Sequence, residues 1–311
     1  MGGLQAQYAP SMYIGLWSRL EGFERDDLTR ALERKKVVQG TLMRSTIHLA
    51  SARDYWPFAI ATRDVRRDWW LKSHKDGPTA REMADAAKRL RRRLREGPLR
   101  RPDVEAIVGG GAVGVNGVGM WLDLVRVPPS GTWERRRADL YAAAEDWLGP
   151  PDVDADAARE HLVGRYLGGF GPASRNDIAD WAGLPPKDTA AVLARIRVRR
   201  FRDEAGTELF DLPRATIPDP DTPAPVRFLP VWDATLLAHA RATGILPDEH
   251  RSKVFKTKTP QSVQTFLVDG TVAGTWTYEK GRVQLEPFGR LDPSARRQLQ
   301  EEAEGLAALH A

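Results

Sequence analysis

The stretch SRNDIADWAGLPPKDTAAVLARIRVRRFRDEAGTELFDL, residues 174–212, decides how the rest of the chain is read. Ser174 to Trp181 has the length and pattern of a short helix, Gly183 to Pro186 reads as a turn, and Lys187 to about Arg197 as a second helix. Val198 to Leu212 then predicts a hairpin folded about Asp203-Glu204-Ala205-Gly206, with Arg199, Arg200 and Arg202 on its first arm. Helix, turn, helix and hairpin is the order of a winged helix-turn-helix. A further helix begins near Asp156, carries Leu162, Val163, Tyr166 and Leu167 on one face, and ends at Gly168-Gly169-Phe170-Gly171-Pro172.

The same grammar recurs upstream. Met12, Ile14, Leu16, Trp17 and Leu20 fit one helix face, Gly22 breaks it, and Asp26-Asp27 opens a second helix with Leu28, Ala31 and Leu32 inward. After Gly40, Thr41 to Leu49 is β-rich and partly alternating. A middle unit opens with a helix from about Thr79 to Glu96 that runs into the heaviest basic run of the chain, Lys88 to Arg101. Asp103 can cap a short helix through Val108, and a glycine-rich link, Gly109 to Gly119, leads to an extended segment, Trp121 to Val127. Pro128 to Gly131 then makes a turn or wing tip, and the chain returns through Trp133 to Arg135, Arg136 and Arg137. Pro213 to Pro225 holds five prolines and marks a linker. Beyond it, Val226 to Val231, Thr265 to Val268, Thr271 to Thr277 and Val283 to Pro287 read as strands, with Asp269-Gly270 and Lys280-Gly281 as hairpin turns and Ser294 to Leu309 as a closing helix. The expected architecture is α+β: tandem winged helix-turn-helix units over 1–68, 69–150 and 151–215, then the linker and a small β-barrel-like domain over 216–311.

Composition narrows the chemistry. The 311 residues are 41% hydrophobic, enough for two or three domains with real cores. Lysine and arginine number 47 against 42 acids, a net charge of +5 that favours solubility and says little alone about partners. Its distribution says more. Lys88 to Arg101, Arg135 to Arg137 and Arg195 to Arg202 are candidate phosphate-contacting stripes, with Lys88, Arg92, Arg95, Arg135, Arg136, Arg197, Arg199 and Arg200 the chosen residues. The competing reading is a set of solvated helix faces. Cysteine is absent, which excludes disulfides, thiolate nucleophiles and cysteine-ligated metal. The six histidines show no metal-ligand spacing, so neither metal nor cofactor is expected. Gly109 to Gly119 has no Lys-Ser/Thr after it, which argues against a phosphate-binding loop. No apolar run approaches a membrane span and the start lacks signal-peptide pattern, so a cytoplasmic protein without membrane association is expected.

Five short motifs occur in order: Gly3-Leu4-Gln5-Ala6-Gln7, Met43 to Leu49 (MRSTIHL), Leu167 to Pro172 (LGGFGP), Phe228 to Asp233 (FLPVWD) and Val272 to Trp276 (VAGTW). Together they resemble the AlkZ/YcaQ-like winged-helix DNA glycosylases, over nearly the whole chain. The resemblance implies tandem winged helices with a β-barrel-like C-terminal part forming a C-shaped clamp on double-stranded DNA. It also implies excision of N7-alkylated guanine, including crosslinked guanine. The family's catalytic signature, Gln-x-Gln in one branch, falls on Gln5 and Gln7. Family members carry a helix ahead of that motif, and its position near the first residue here sets up the expectation of a truncated or late-start product.

Glutamine has no usable pKa and cannot act as general acid or base. An N7-alkylguanine already carries positive charge and leaves without a proton. What remains is to hold a water near C1′ and face an oxocarbenium-like sugar, and two amide carbonyls can do both. Residues two apart on an extended segment point the same way, so Gln5 and Gln7 can converge. Arg44, Thr46 and His48 share a face of the following β-segment and are candidates to line the site or meet a phosphate, with a half-buried structural histidine as the other reading of His48. Asp233 is the carboxylate inside a family-like motif, an auxiliary catalytic group or the cap of a helix from Thr235 to Ala242, capping being favoured. The expected activity is that of a monomeric, monofunctional DNA glycosylase on alkylated duplex. The alternative is a winged-helix DNA-binding protein without turnover, either a regulator with a dimeric operator or an inactive paralogue.

Overall fold

A computed structural model describes residues 2–219, 221–239, 244–256 and 261–311. The chain divides into two compact units, one of Met1–Ala9 with Thr29–Ala215 and the other of Pro10–Leu28 with Thr216–Ala311. In chain order the elements begin with β1 (Leu4–Gln5), α1 (Ala9–Trp17), α2 (Arg25–Glu33), β2 (Val37–Thr41) and β3 (Ile47–Ser51). They continue with α3 (Ala52–Ser73), α4 (Ala80–Leu94), β4 (Leu99–Arg100), α5 (Arg101–Val108), α6 (Gly111–Trp121), β5 (Leu124–Arg126), β6 (Leu140–Ala143) and α7 (Ala144–Leu148). Next come α8 (Ala155–Phe170), β7 (Ala173–Ser174), α9 (Arg175–Ala182), α10 (Pro186–Arg195), β8 (Arg199–Arg202) and β9 (Glu208–Asp211).

The first unit is built on a six-stranded sheet of order β1-β3-β2-β5-β6-β4, every pair antiparallel. Strands from residues 1–68 and 69–150 therefore share one sheet, joined where Gln39 and Gly40 of β2 pair with Arg126 and Val125 of β5. The strand expected over Thr41 to Leu49 is broken. Met43–Ser45 forms a 3-10 turn, because Arg44 and Ser45 both take left-handed φ (51° and 59°) and fold β2 back onto β3. The long helix α3 was not foreseen. Ser51 caps it by accepting the Asp54 amide at 3.1 Å, and Tyr55, Phe58, Ala59, Thr62, Arg66 and Trp70 bury one face despite Pro57 inside.

The expected glycine-rich link over Gly109 to Gly119 is also a correction: residues 111–121 are helix α6. Its glycines answer to packing. A Cβ on Gly117 would run into the Trp70 ring and one on Gly114 into the Gly109 carbonyl. Small residues let α6 lie close against α3 inside a core that includes Trp70, Met83, Leu90, Val104 and Val118. Helix α4 follows expectation, its Thr79 forming a reciprocal capping box with Glu82.

Residues 155–211 match the order read from sequence. Ser174 and Asp177 form a second capping box on α9, and Gly183 ends it in the left-handed conformation, φ 69°. The hairpin β8–β9 turns at Asp203–Gly206, whose Asp203 side chain accepts the Thr207 amide at 2.7 Å, and β7 completes a sheet of order β7-β9-β8.

The second unit carries β10 (Arg227–Leu229), α11 (Ala234–Leu237), α12 (Asp248–Val254), β11 (Phe255–Lys256), β12 (Gln261–Ser262), β13 (Thr265–Val268), β14 (Thr271–Glu279), β15 (Arg282–Pro287) and α13 (Pro293–His310). Strands β10, β13, β14 and β15 form an open antiparallel sheet in that order, with β10 and β15 at its edges where a barrel-like closure was expected. Both hairpin turns use left-handed pairs, Asp269-Gly270 and Lys280-Gly281, the conformation that matches the twist of paired strands. Phe228, Phe266 and Trp276 fill the core, and the Trp276 indole donates to the Leu229 carbonyl at 3.1 Å. The helix expected from Thr235 is seen as Ala234–Leu237, and its proposed end at Ala242 lies outside the described residues, as does Pro220 of the linker. Among the described residues no helix is long and apolar enough to cross a membrane.

Candidate active site

Gln5 ends the two-residue edge strand β1, held in register by Leu4 opposite Leu49 and Gln5 opposite His48. The Ala6 amide continues the ladder to the Ile47 carbonyl at 2.7 Å. Leu4 and Ala6 are buried while Gln5 is half-buried and Gln7 exposed, so the alternation sends both glutamines to the less buried side. Gln5 Oε1 is nevertheless shielded from solvent and has no hydrogen-bond partner. A buried acceptor left unpaired costs on the order of 1–3 kcal/mol.

His48 is buried and directly opposite Gln5. Burial first, and then the charge of Arg44, push its pKa down to about 3. The imidazole is therefore neutral at physiological pH and donates from Nδ1 to the Thr46 carbonyl at 3.1 Å. Arg44 is turned to a different task. Its guanidinium donates to the Trp181 carbonyl, and burial lowers its pKa to about 10, which leaves it charged. Gly183 packs on the same turn, 3.0 Å from the Arg44 amide to where its Cβ would be, and a Cβ on Gly2 would meet the Trp181 ring. The α9–α10 turn thus braces both the strand bearing Gln5 and the turn bearing Thr46.

Gln7 and Thr46 open into a cavity of 490 Å³. Its walls include Trp69, Trp70 and His74 of α3 and Asn116 and Met120 of α6. Trp69 is 51% exposed. His74 is stacked on Trp70 at 4.8 Å and bonded to the Trp70 carbonyl at 3.0 Å. Arg101, Arg126 and Arg137 bring positive charge and Asp139 the carboxylate. Arg126 donates to Thr41 Oγ1 at 2.9 Å and lies over the Tyr141 ring at 5.4 Å, yet its Nε is buried without a partner. The loop carrying Arg135, Arg136 and Arg137 is fixed from within. Ser130 Oγ donates to the Arg137 carbonyl at 2.8 Å and accepts the Asp139 amide at 2.7 Å, and Gln39 donates to the Gly131 carbonyl at 2.7 Å. Arg135 and Arg136 are exposed, the latter 3.4 Å from the hydroxyl of Tyr8, the residue after Gln7.

The remaining sequence candidates lie elsewhere. Lys88, Arg92 and Arg95 line an open groove of 790 Å³ floored by Trp121 and Leu122. Trp121 meets Trp70 edge to face at 5.4 Å, so the groove and the cavity flank the same aromatic pair. Arg197, Arg199 and Arg200 are exposed at the β8–β9 hairpin, Arg200 paired with Glu208 at 2.7 Å. Asp233 belongs to the second unit. It accepts the Thr235 amide at 2.9 Å as a helix cap and pairs with Arg19 at 2.6 Å. Trp69 and Arg126 were missed, whereas Arg101 ends the basic run singled out in the sequence. The Trp69-Trp70 doublet and an arginine inside the apolar run Leu124 to Val127 were their signals in the sequence. Among the described residues no cluster of His, Asp or Glu could hold a metal ion.

The antiparallel α+β fold thus sets Gln7 at a cavity that Arg101, Arg126 and Arg137 also line. The fold is that of the Streptomyces sahachiroi DNA glycosylase AlkZ, with a TM-score of 0.82 over 99% of this chain and 89% of that one at 20% identity. The family model described as DNA glycosylase AlkZ-like matches residues 1–309, and the chain belongs to that family. No curated protein matches it.

Proposed function

We propose that this glycosylase hydrolyses the N-glycosidic bond of N7-alkylguanine in duplex DNA, with Gln5 and Gln7 positioning the attacking water. The supporting observation is the buried, unpartnered Oε1 of Gln5 two residues from Gln7 at the cavity. A water held there accepts direction from two carbonyl dipoles, which also face the cation that develops on the sugar. Neutral His48 opposite Gln5 adds no competing positive charge and has no proton to give a departing neutral base. That chemistry suits a leaving base already cationic and fails on undamaged guanine. Monofunctional hydrolysis follows, since neither glutamine is an amine nucleophile. In this reading the helix–turn–helix–hairpin segments are winged-helix units, and Lys88, Arg92, Arg95, Arg135, Arg136, Arg197, Arg199 and Arg200 meet phosphates.

The test is release of base from a duplex carrying N7-methylguanine, read as alkali-labile sites. The expected result is release by the wild type that falls on the order of 10²-fold in Gln5→Ala and in Gln7→Ala. Duplex binding without release from the wild type overturns the enzymatic reading and leaves a DNA-binding protein.

A further inference from the structure

The cavity beside Gln7 poses an electrostatic question. Three arginines (Arg101, Arg126, Arg137) face it against one carboxylate, Asp139. Asp139 is shared at 3.6 Å by Arg100 and Arg137, so it does not neutralise Arg126. The neighbours of Arg126 in hydrogen bonding and stacking are Thr41 and Tyr141, and its buried Nε has no hydrogen-bond partner. A guanidinium taken from water with a donor unpaired is costly, and here it is partly desolvated enough that burial lowers its pKa. Its planar guanidinium has the fork geometry that suits a phosphate or carboxylate.

We infer that this cavity is an anion subsite: Arg126 at its floor, with Arg101 and Arg137 beside it, receives one phosphodiester of the strand whose sugar faces Gln7. The alternative occupant under the proposed function is the alkylated base itself. That base is cationic, and placing it among uncompensated arginines at low dielectric is repulsive. A phosphate balances the excess positive charge of the cavity that Gln7 also lines. The inference rests on DNA as substrate but not on the glutamine chemistry, so its test reads binding rather than turnover.

Anisotropy titrations of an undamaged 20-base-pair duplex compare the wild type with Arg101→Gln and Arg126→Lys, whose folding is checked by thermal melting. Each variant is expected to bind about tenfold more weakly, and in Arg101→Gln, which removes a charge, the slope of log affinity against log salt falls by about 0.9, the value for one phosphate. Arg101→Gln, on the cavity wall, keeps the test alive if Arg126→Lys fails to fold. A duplex with single methylphosphonate linkages scanned along one strand identifies the phosphate. At one linkage, neutralisation weakens the wild type about tenfold and leaves Arg101→Gln unchanged. An unchanged salt slope in folded Arg101→Gln, or a scan in which every linkage costs wild type and variant alike, overturns the subsite. Failure of base release in the earlier assay, with this scan positive, removes the glutamine chemistry and leaves the subsite standing.

Discussion

Two turns of the first unit, one at Met43–Ser45 and one at Leu184–Pro185 between α9 and α10, make opposite use of the same physics. The second is satisfied throughout. Ser174 caps, Asp177 returns the bond, Gly183 takes the left-handed φ without penalty, and Pro186 starts the next helix where its missing N–H costs nothing. The first holds Arg44 and Ser45, residues with a Cβ, in that same left-handed region. It buries the charge of Arg44 and stands beside an orphaned Gln5 acceptor. A fold keeps such a costly arrangement when function needs it. The contrast sets an α9–α10 region whose caps are all satisfied against a β1–β3 edge that carries strained and unpaired polar groups.

The largest effect expected from that contrast is on activity. Gln5→Ala removes an amide whose buried acceptor is unpaired, so base release falls on the order of 10²-fold while the unfolding free energy from urea melts is held or raised, by up to about 1 kcal/mol. A loss of stability with release intact would break the contrast. Next is pH. His48 titrates near 6.5 unfolded and about 3 folded, so the unfolded chain binds the extra proton between those values. Its contribution is complete above pH 6.5 and is lost as pH falls, by about 2 kcal/mol at pH 5. Urea melts at pH 7 and 5 measure the slope, and His48→Asn flattens it. A smaller effect comes from the α9–α10 region. Ser174→Ala costs about 1 kcal/mol by removing the cap, with the single-turnover rate of base release unaltered. Smallest is Arg200→Gln. Its ion pair with Glu208 is solvent-exposed, so stability moves by less than about 0.5 kcal/mol, while a lowered salt slope reports a lost phosphate contact.

Legibility in the sequence followed locality. The α8–β9 segment was readable because its signals, the Gly183 turn and the Asp203–Gly206 hairpin, lie within the residues they shape. Helices α3 and α6 were not. Pro57 and the glycines of 111–119 are breakers in isolation, and only the Trp70 face of α3 explains why Gly114 and Gly117 are tolerated in α6. The turn Met43–Ser45 hid inside a β-like pattern because its left-handed residues are neither glycine nor asparagine. Of the candidate site, the glutamine pair was visible through a motif and the resemblance it carries. Arg126 was not, since its burial arises from pairing of β5 with β2 some 85 residues away. Asp233 sat in a motif and turned out to carry a capping bond and an ion pair within the second unit.

Trp181 has a consequence for anyone recombining this architecture. The Trp181 ring lies close against Gly2, and its backbone carbonyl accepts from the Arg44 guanidinium. The segment downstream of α8 is therefore not an interchangeable cartridge: a chimera that swaps it must keep the match between this indole and the glycine, or β1 loses the anvil against which it is set.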